Sequence, residues 1–256
     1  MCRRSNPTIW ALCALSRPHE LPRVMHEFEQ QTYPNKMIAI IENKDGIGAC
    51  ERFGIVPDLL LHSEPHQAIA KNAGLNAIRD LADSGDWWAT WDDDDCNGPG
   101  RLAELAESIG HTDVLGKSSF FMRMRDGRLL KFTRPYRRLW GSTLSAKLGI
   151  EVEFRNTGRW GEDEDWLCRV ERLGFKIGTL SPWHFIVNRS MRNHAWCVSD
   201  DNAINCIAGG RPDVVVQDYG NVSADFALFG CDEPPSKPLA VAEYDWELSL
   251  AEARSA

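Results

Sequence analysis

The 256-residue chain has no pair of cysteines at the two-residue spacing of a zinc ribbon or a dithiol redox motif. Its eight cysteines, at positions 2, 13, 50, 96, 168, 197, 206 and 231, are scattered from end to end. A chain of this length buries enough core to fold without staples, so reduced thiols in a cytoplasmic protein are the expected state. No apolar run approaches the ~18 residues of a membrane-spanning helix. Arg3 and Arg4 followed by an apolar stretch faintly resemble a secretory signal, but that stretch is needed as the first core strand. Repeats and low-complexity segments are missing. Thirteen prolines and 20 glycines are ordinary usage, which excludes collagen-like and disordered classes. Basic residues are the minority, 29 against 37 acidic, for a net charge of −8. Such a chain is a poor generic binder of duplex nucleic acid or anionic membrane unless a local basic patch overrides the sum.

What is present is an alternation of short apolar runs and helical patterns. Residues 8–15 read as a strand buried on both faces, and Pro18 opens a helix with Leu21, Val24, Met25 and Phe28 on one side. Residues 37–41 and 59–62 read as further strands, with a polar loop at 43–48 between them. Residues 67–82 are helical, with Ile69, Ala73 and Leu81 among the apolar positions, and 87–91 is a fourth strand. This order predicts a mostly parallel sheet covered on both faces. In the second half, 101–109 is helical, and 113–124 and 128–132 are strands around an Asp126-Gly127 turn. A helix at 162–173 is closed by Gly174, with strands at 176–180 and 213–217 beyond it.

Two acidic clusters carry the chemistry. Asp92-Asp93-Asp94-Asp95 follows the strand at 87–91, and in an open parallel sheet ligands bind outside the carboxyl ends of strands. Four successive carboxylates raise one another's pKa unless a cation or solvent separates them. Hard oxygen ligands on a loop suit Mg²⁺ or Mn²⁺. A solvated acidic loop is the plainer reading, weakened by the very apolar strand before it. The second cluster, Gly161-Glu162-Asp163-Glu164-Asp165, opens a helix, where acidic residues also serve to complement the helix dipole. A carboxylate beside an acceptor hydroxyl can instead act as a general base.

The combination resembles the family 2-like glycosyltransferases of the GT-A fold, over roughly residues 7–190. The first strand ends in Ser16-Arg17-Pro18, similar to that family's Asn-Arg-Pro-type turn. Gln31-Thr32-Tyr33-Pro34 and Glu42-Asn43 resemble its Gln-Thr-Tyr-Pro segment and the acidic end of its second strand. Lys71-Asn72-Ala73-Gly74 resembles its Arg-Asn-x-Gly helix start, the aspartate run its Asp-x-Asp metal motif, and Gly161-Glu162-Asp163 its Glu-Asp motif. The resemblance implies an α/β GT-A fold with a mixed, mostly parallel central sheet and helices on both faces. It implies a donor half near 1–100, an acceptor half near 101–200 and an extension over 201–256. The implied activity is sugar transfer from a nucleotide-diphosphosugar, a UDP-sugar favoured, to a hydroxyl, with Mn²⁺ or Mg²⁺ and with inversion. By position, Leu15, Ser16, Glu42 and Lys71 would contact the nucleoside, Asp92 the ribose or metal, and Asp94 the metal. Asp163 would be the base, supported by Glu162. The extra aspartate at 93 leaves the metal ligand open by one position, and Lys71 lacks the planar fork of arginine.

Outside those motifs, His194 is a candidate metal ligand, and Arg189 and Arg192 are candidate clamps for the donor phosphates. His184 reads as a satisfied histidine at the edge of a strand. Residues 123–138 carry seven basic side chains against one acidic, with Arg123 and Arg125 on one strand face. They form either an exposed hairpin kept soluble by charge or the seat of an anionic acceptor: an acidic glycan, a lipid-linked glycan, or nucleic acid bearing a hydroxymethylated base. Trp160 is placed to stack on a sugar ring. Two rival functions remain, a metal-dependent nucleotidyltransferase and a non-catalytic Ca²⁺-binding interaction module. The first normally needs a Gly-rich loop after the first strand, and residues 14–20 contain no glycine. The second predicts no dependence on Asp163.

Overall fold

The computed structural model describes residues 6–134, 139–156, 161–188, 204, 214–230 and 236–238. Strand β1 (Ile9–Leu15) is buried along its whole length. Successive side chains of a strand point to opposite faces, so β1 feeds two cores at once. Ile9, Ala11, Cys13 and Leu15 pack with Leu21, Val24 and Phe28 of α1 (Leu21–Glu29) and with Leu102 and Leu105 of α4 (Arg101–Ser108). Trp10, Leu12 and Ala14 pack with Ala70, Leu75 and Ile78 of α3 (Gln67–Arg79) and with Trp166 and Val170 of α5 (Glu162–Arg172). Helices therefore cover both faces, as the continuous apolar runs predicted.

The first sheet has seven strands in the order β10-β6-β9-β4-β1-β2-β3. Here β2 is Lys36–Glu42, β3 Leu59–His62, β4 Trp87–Thr90, β6 Val114–Lys117, β9 Ser145–Lys147 and β10 Ile177–Leu180. Every pairing is parallel except those of β9, which runs antiparallel to both β4 and β6. The second sheet has six, β13-β12-β8-β7-β11-β5, with β5 Asp95–Asn97, β7 Ser119–Arg123, β8 Leu129–Thr133, β11 Phe185–Asn188, β12 Val215–Asp218 and β13 Lys237–Pro238. It is mostly antiparallel and is covered in part by the short helix α6 (Asp225–Phe229). No described helix is long and apolar enough to cross a membrane.

Several elements differ from the sequence reading. The run at 113–124 is two strands in different sheets, broken at Ser118, because uninterrupted hydrophobicity carries no mark of which sheet receives it. The three-residue β9 has too little pattern to be read. The loop after β2 turns into helix α2 (Ala49–Phe53), entered and left through Gly48 and Gly54 in left-handed conformation. The helix ends at Arg79, and Ile69 within it and Leu81 beyond it are both exposed. The buried stripe holds Ala68, Lys71, Gly74, Leu75 and Ile78 instead, and at Gly74 a Cβ would lie 2.6 Å from Leu12 and 2.7 Å from Ile41. Glycine there lets the helix sit close on the sheet. Arg125 lies in the hairpin turn rather than on the strand with Arg123.

Candidate active site

The aspartate run lies where the chain leaves the first sheet at the carboxyl end of β4 and enters the second as β5. Its four members have different tasks. Asp93 is buried and accepts the backbone N–H groups of Ser16 (2.7 Å) and Arg17 (2.8 Å), the Ser16 hydroxyl (3.2 Å), and the Arg17 guanidinium. It latches the end of β1 to the end of β4. Arg23 of α1 caps the same segment, donating to the carbonyls of Asp93 (2.8 Å) and Asp95 (2.7 Å). Asp95 is buried beside Arg101, whose guanidinium donates to the Thr90 carbonyl (2.7 Å) and to Asn97 and lies over the rings of Trp91 and Phe185. Burial lowers Arg101 to about 10 despite the neighbouring Asp95.

Asp92 accepts from the Gln67 side-chain amide at 3.5 Å, and Asp94 lies 3.1 Å from the Arg17 guanidinium. Burial, opposed by Lys71 and reinforced by Asp94, pushes the Asp92 carboxyl up to about 7; burial, opposed by Arg17 and reinforced by Asp93, pushes Asp94 up to about 6. Negative charge here is undercompensated, and two hard oxygen donors fit a divalent cation. Among the described residues no three His, Cys, Asp or Glu side chains converge on one point. Such a cation would draw two protein carboxylates and take its other ligands from water and phosphate, a habit of Mg²⁺. Asp93 differs from both in accepting two backbone N–H groups, those of Ser16 and Arg17.

The second acidic cluster faces the first across Lys71. Gly161, left-handed at φ +114°, starts α5 with four carboxylates in its first turn. Asp163 Oδ1 lies 2.7 Å from Lys71 Nζ, Asp165 pairs with Arg169 at 2.8 Å, and Glu164 lies 3.7 Å from Arg134. Glu162 makes no hydrogen bond among the described residues. Lys71 is buried over the Phe154 ring, and although burial alone would lower it, Asp163, Asp92 and Glu162 raise it above its ordinary value. Gly141 sits against Asp163, where a Cβ would lie 2.4 Å from the Asp163 Cβ. The next residue of α3, Asn72, exchanges two 2.8 Å hydrogen bonds with the Phe154 backbone, which fixes that ring under Lys71.

The other expected site residues have the following partners within the chain. The Leu15 side chain is wholly in the core, and its carbonyl accepts the Asn43 N–H. Ser16 is committed to Asp93. Glu42 is buried, with one oxygen accepting the Gly48 N–H and the other the Cys50 N–H, both at 2.7 Å, so it shapes the loop after β2. Burial would raise its carboxyl, and these hydrogen bonds outweigh that and lower it. Lys71, expected at the nucleoside, pairs with Asp163. The Gln-Thr-Tyr-Pro segment is a brace: Gln31 holds the Gly98 carbonyl and the Leu102 N–H, and Tyr33 donates to the Pro7 carbonyl. His184, at φ +61°, donates its Nδ1–H to the Leu228 carbonyl (2.8 Å) and packs on Gly100, a structural clamp. Trp160, Arg189, Arg192 and His194 lie outside the described residues. A cleft of about 390 Å³ lined by Pro7, Tyr33, Pro34 and Ala103 opens at the amino end of β1 and β2, and none of the described candidate residues lines it.

No protein-family model matches the sequence, and no curated protein does. Solved structures do. Staphylococcus aureus TarS 1–349 in complex with UDP-GlcNAc superposes with a TM-score of 0.55 at 12% identity, covering 79% of this chain and 65% of that one. The same protein with UDP gives 0.53 at 12% identity, covering 71% and 60%. The mannosyltransferase PcManGT from Pyrobaculum calidifontis, in complex with GDP-Man and Mn²⁺, gives 0.52 at 12%, covering 75% and 59%. The chain adopts the GT-A glycosyltransferase fold. It spans less than two thirds of the length of these GT-A chains. At 12% identity the likeness resides in the architecture.

Proposed function

We propose that the chain is a metal-dependent glycosyltransferase that moves a sugar from a nucleotide-diphosphosugar to a hydroxyl acceptor with inversion. The observation that carries this is the convergence on one rim of two undercompensated carboxylates, Asp92 and Asp94, with a third, Asp163, held through Lys71. Asp92 and Asp94 would hold Mn²⁺ or Mg²⁺, which when bound stabilises charge on a leaving diphosphate as a Lewis acid. Asp163 accepts the proton of the attacking hydroxyl as the new oxygen–carbon bond forms and the anomeric carbon–diphosphate bond breaks. Lys71 orients that carboxylate through their 2.7 Å contact, and Glu162 neighbours it in the first turn of α5. A single base and a direct displacement give inversion. We assign the donor side to residues 1–100 and the acceptor side to 101–200, and a UDP-sugar is the favoured donor.

The sequence's basic hairpin supports an anionic acceptor in a narrower form. Arg128 is paired with Asp126 (2.6 Å) and Asp218 (3.4 Å), Lys131 stacks over Phe121 and Trp183, and Arg134 over Trp140. Among the described residues, Arg123 and the exposed Arg125 are the hairpin's remaining candidates for that role, and Arg137 and Arg138 lie outside them.

The deciding experiment is thermal denaturation with a panel of nucleoside diphosphates and their sugars, with and without Mn²⁺. A ligand that binds only the native state raises the melting temperature. UDP with Mn²⁺ is expected to stabilise the wild type and to leave Asp94→Asn unchanged. If no nucleotide stabilised the wild type in the presence of metal, the donor assignment would be wrong.

A further inference from the structure

Arg17 divides its guanidinium between two aspartates of different function. One arm pairs with Asp93, the latch, and the other lies 3.1 Å from Asp94 Oδ2, on a carboxylate assigned to the metal. Side-chain exposures of 13%, 4% and 14% for Arg17, Asp93 and Asp94 put the group largely out of water, where a charge beside Asp94 is weakly screened. The backbone N–H of Arg17 is itself bonded to Asp93, so the residue is anchored at both ends to the latch. A divalent ion and a guanidinium cannot share one carboxylate edge without strong repulsion.

We propose that Arg17 is a built-in counter-ion of Asp94, which the metal displaces, and that the freed arm, still tethered by Asp93, turns to the donor diphosphate. The inference rests on the metal and donor assignment above and adds a coupling to it. Metal alone binds weakly because it must compete with Arg17. Diphosphate offers the released guanidinium an anionic partner, so metal and nucleotide bind with mutual enhancement, and linkage makes that enhancement reciprocal.

The test is Mn²⁺ affinity, read by electron paramagnetic resonance of the free ion at pH 8, with and without UDP. In Arg17→Gln, Mn²⁺ alone is expected to bind about tenfold more tightly than to the wild type, while the tightening produced by UDP shrinks. In Asp93→Asn, which leaves Arg17 wholly to Asp94, Mn²⁺ alone is expected to bind more weakly. An Arg17→Gln affinity equal to or below that of the wild type, with the UDP effect intact, overturns the inference and leaves the glycosyltransferase reading standing. No Mn²⁺ binding by the wild type even with UDP overturns both. The wild type gives an independent check that needs no variant: a crystal structure with Mn²⁺ and UDP should show Arg17 off Asp94, and one retaining that contact beside the bound ion refutes the displacement.

Discussion

Lys71 Nζ lies 2.7 Å from Asp163 Oδ1, an ion pair that ties the middle of the sheet-packing helix α3 to the first turn of α5. It joins the metal side of the site to the side assigned to the base, because Asp92 is the next strongest acidic neighbour of the same lysine. A carboxylate paired with a buried lysine is held in one orientation.

Replacing Asp163 with Asn should reduce sugar transfer by about 10²–10⁴-fold, the usual contribution of a positioned base. Nucleotide binding should survive, because Asp92 and Asp94 are untouched. Turnover and UDP-dependent thermal stabilisation measured on the same preparation separate the two effects. Transfer at the wild-type rate would remove Asp163 from the mechanism.

Gly141→Ala is expected to damage catalysis without touching a charged group. Its Cβ would fall 2.4 Å from that of Asp163, so the base must move. A displacement of about 1 Å can cost on the order of 10²-fold in rate. The checking measurement is kcat beside the nucleotide Kd, with the first falling and the second steady.

Neutralising Asp92 should strengthen the metal-free protein while abolishing its function. Its carboxyl is pushed up to about 7, so the ionised form is disfavoured in the folded state even with Lys71 nearby. Asp92→Asn should therefore raise the melting temperature by a few degrees, corresponding to about 1 kcal/mol, and eliminate any further rise on adding Mn²⁺ with UDP. A lower melting temperature would show that the attraction between Asp92 and Lys71 outweighs the burial penalty.

Glu42 gives a pH dependence of known sign. Its folded-state pKa is lowered from the ordinary 4.5, so its stabilisation is complete above that value and is lost as pH falls through the folded-state value. Glu42→Gln should lose about 1–3 kcal/mol at pH 7, the worth of hydrogen bonds to a charged acceptor, and should show a shallower acid limb. Urea midpoints at pH 7 and pH 4, with unchanged m values, measure this.

Removing Arg123 and Arg125 together should weaken an anionic acceptor and flatten the salt dependence of turnover, since each lost phosphate-type contact lowers the salt slope. Unchanged activity at every ionic strength would exclude the hairpin from acceptor binding.

What the sequence alone determined about this protein is what local pattern and charge can encode. Continuous apolar runs at β1, β2 and β4 could only be strands buried on both faces, and the two acidic clusters could only sit where those strands end or where a helix begins. Motif order, from Ser16-Arg17-Pro18 to Gly161-Glu162-Asp163, was enough to indicate the GT-A architecture. Partnership was decided by the tertiary structure. Asp92, Asp93, Asp94 and Asp95 are chemically identical in the sequence, and only the approach of Arg17 and Lys71 from distant segments and of Arg101 from the next helix gives each its own surroundings. The pairing of Lys71 with Asp163 was invisible for the same reason, since the two are 92 positions apart and no periodicity reports a contact across that separation. The break of 113–124 into two sheets was likewise invisible, because a strand's hydrophobicity records that it is buried and not which neighbour buries it.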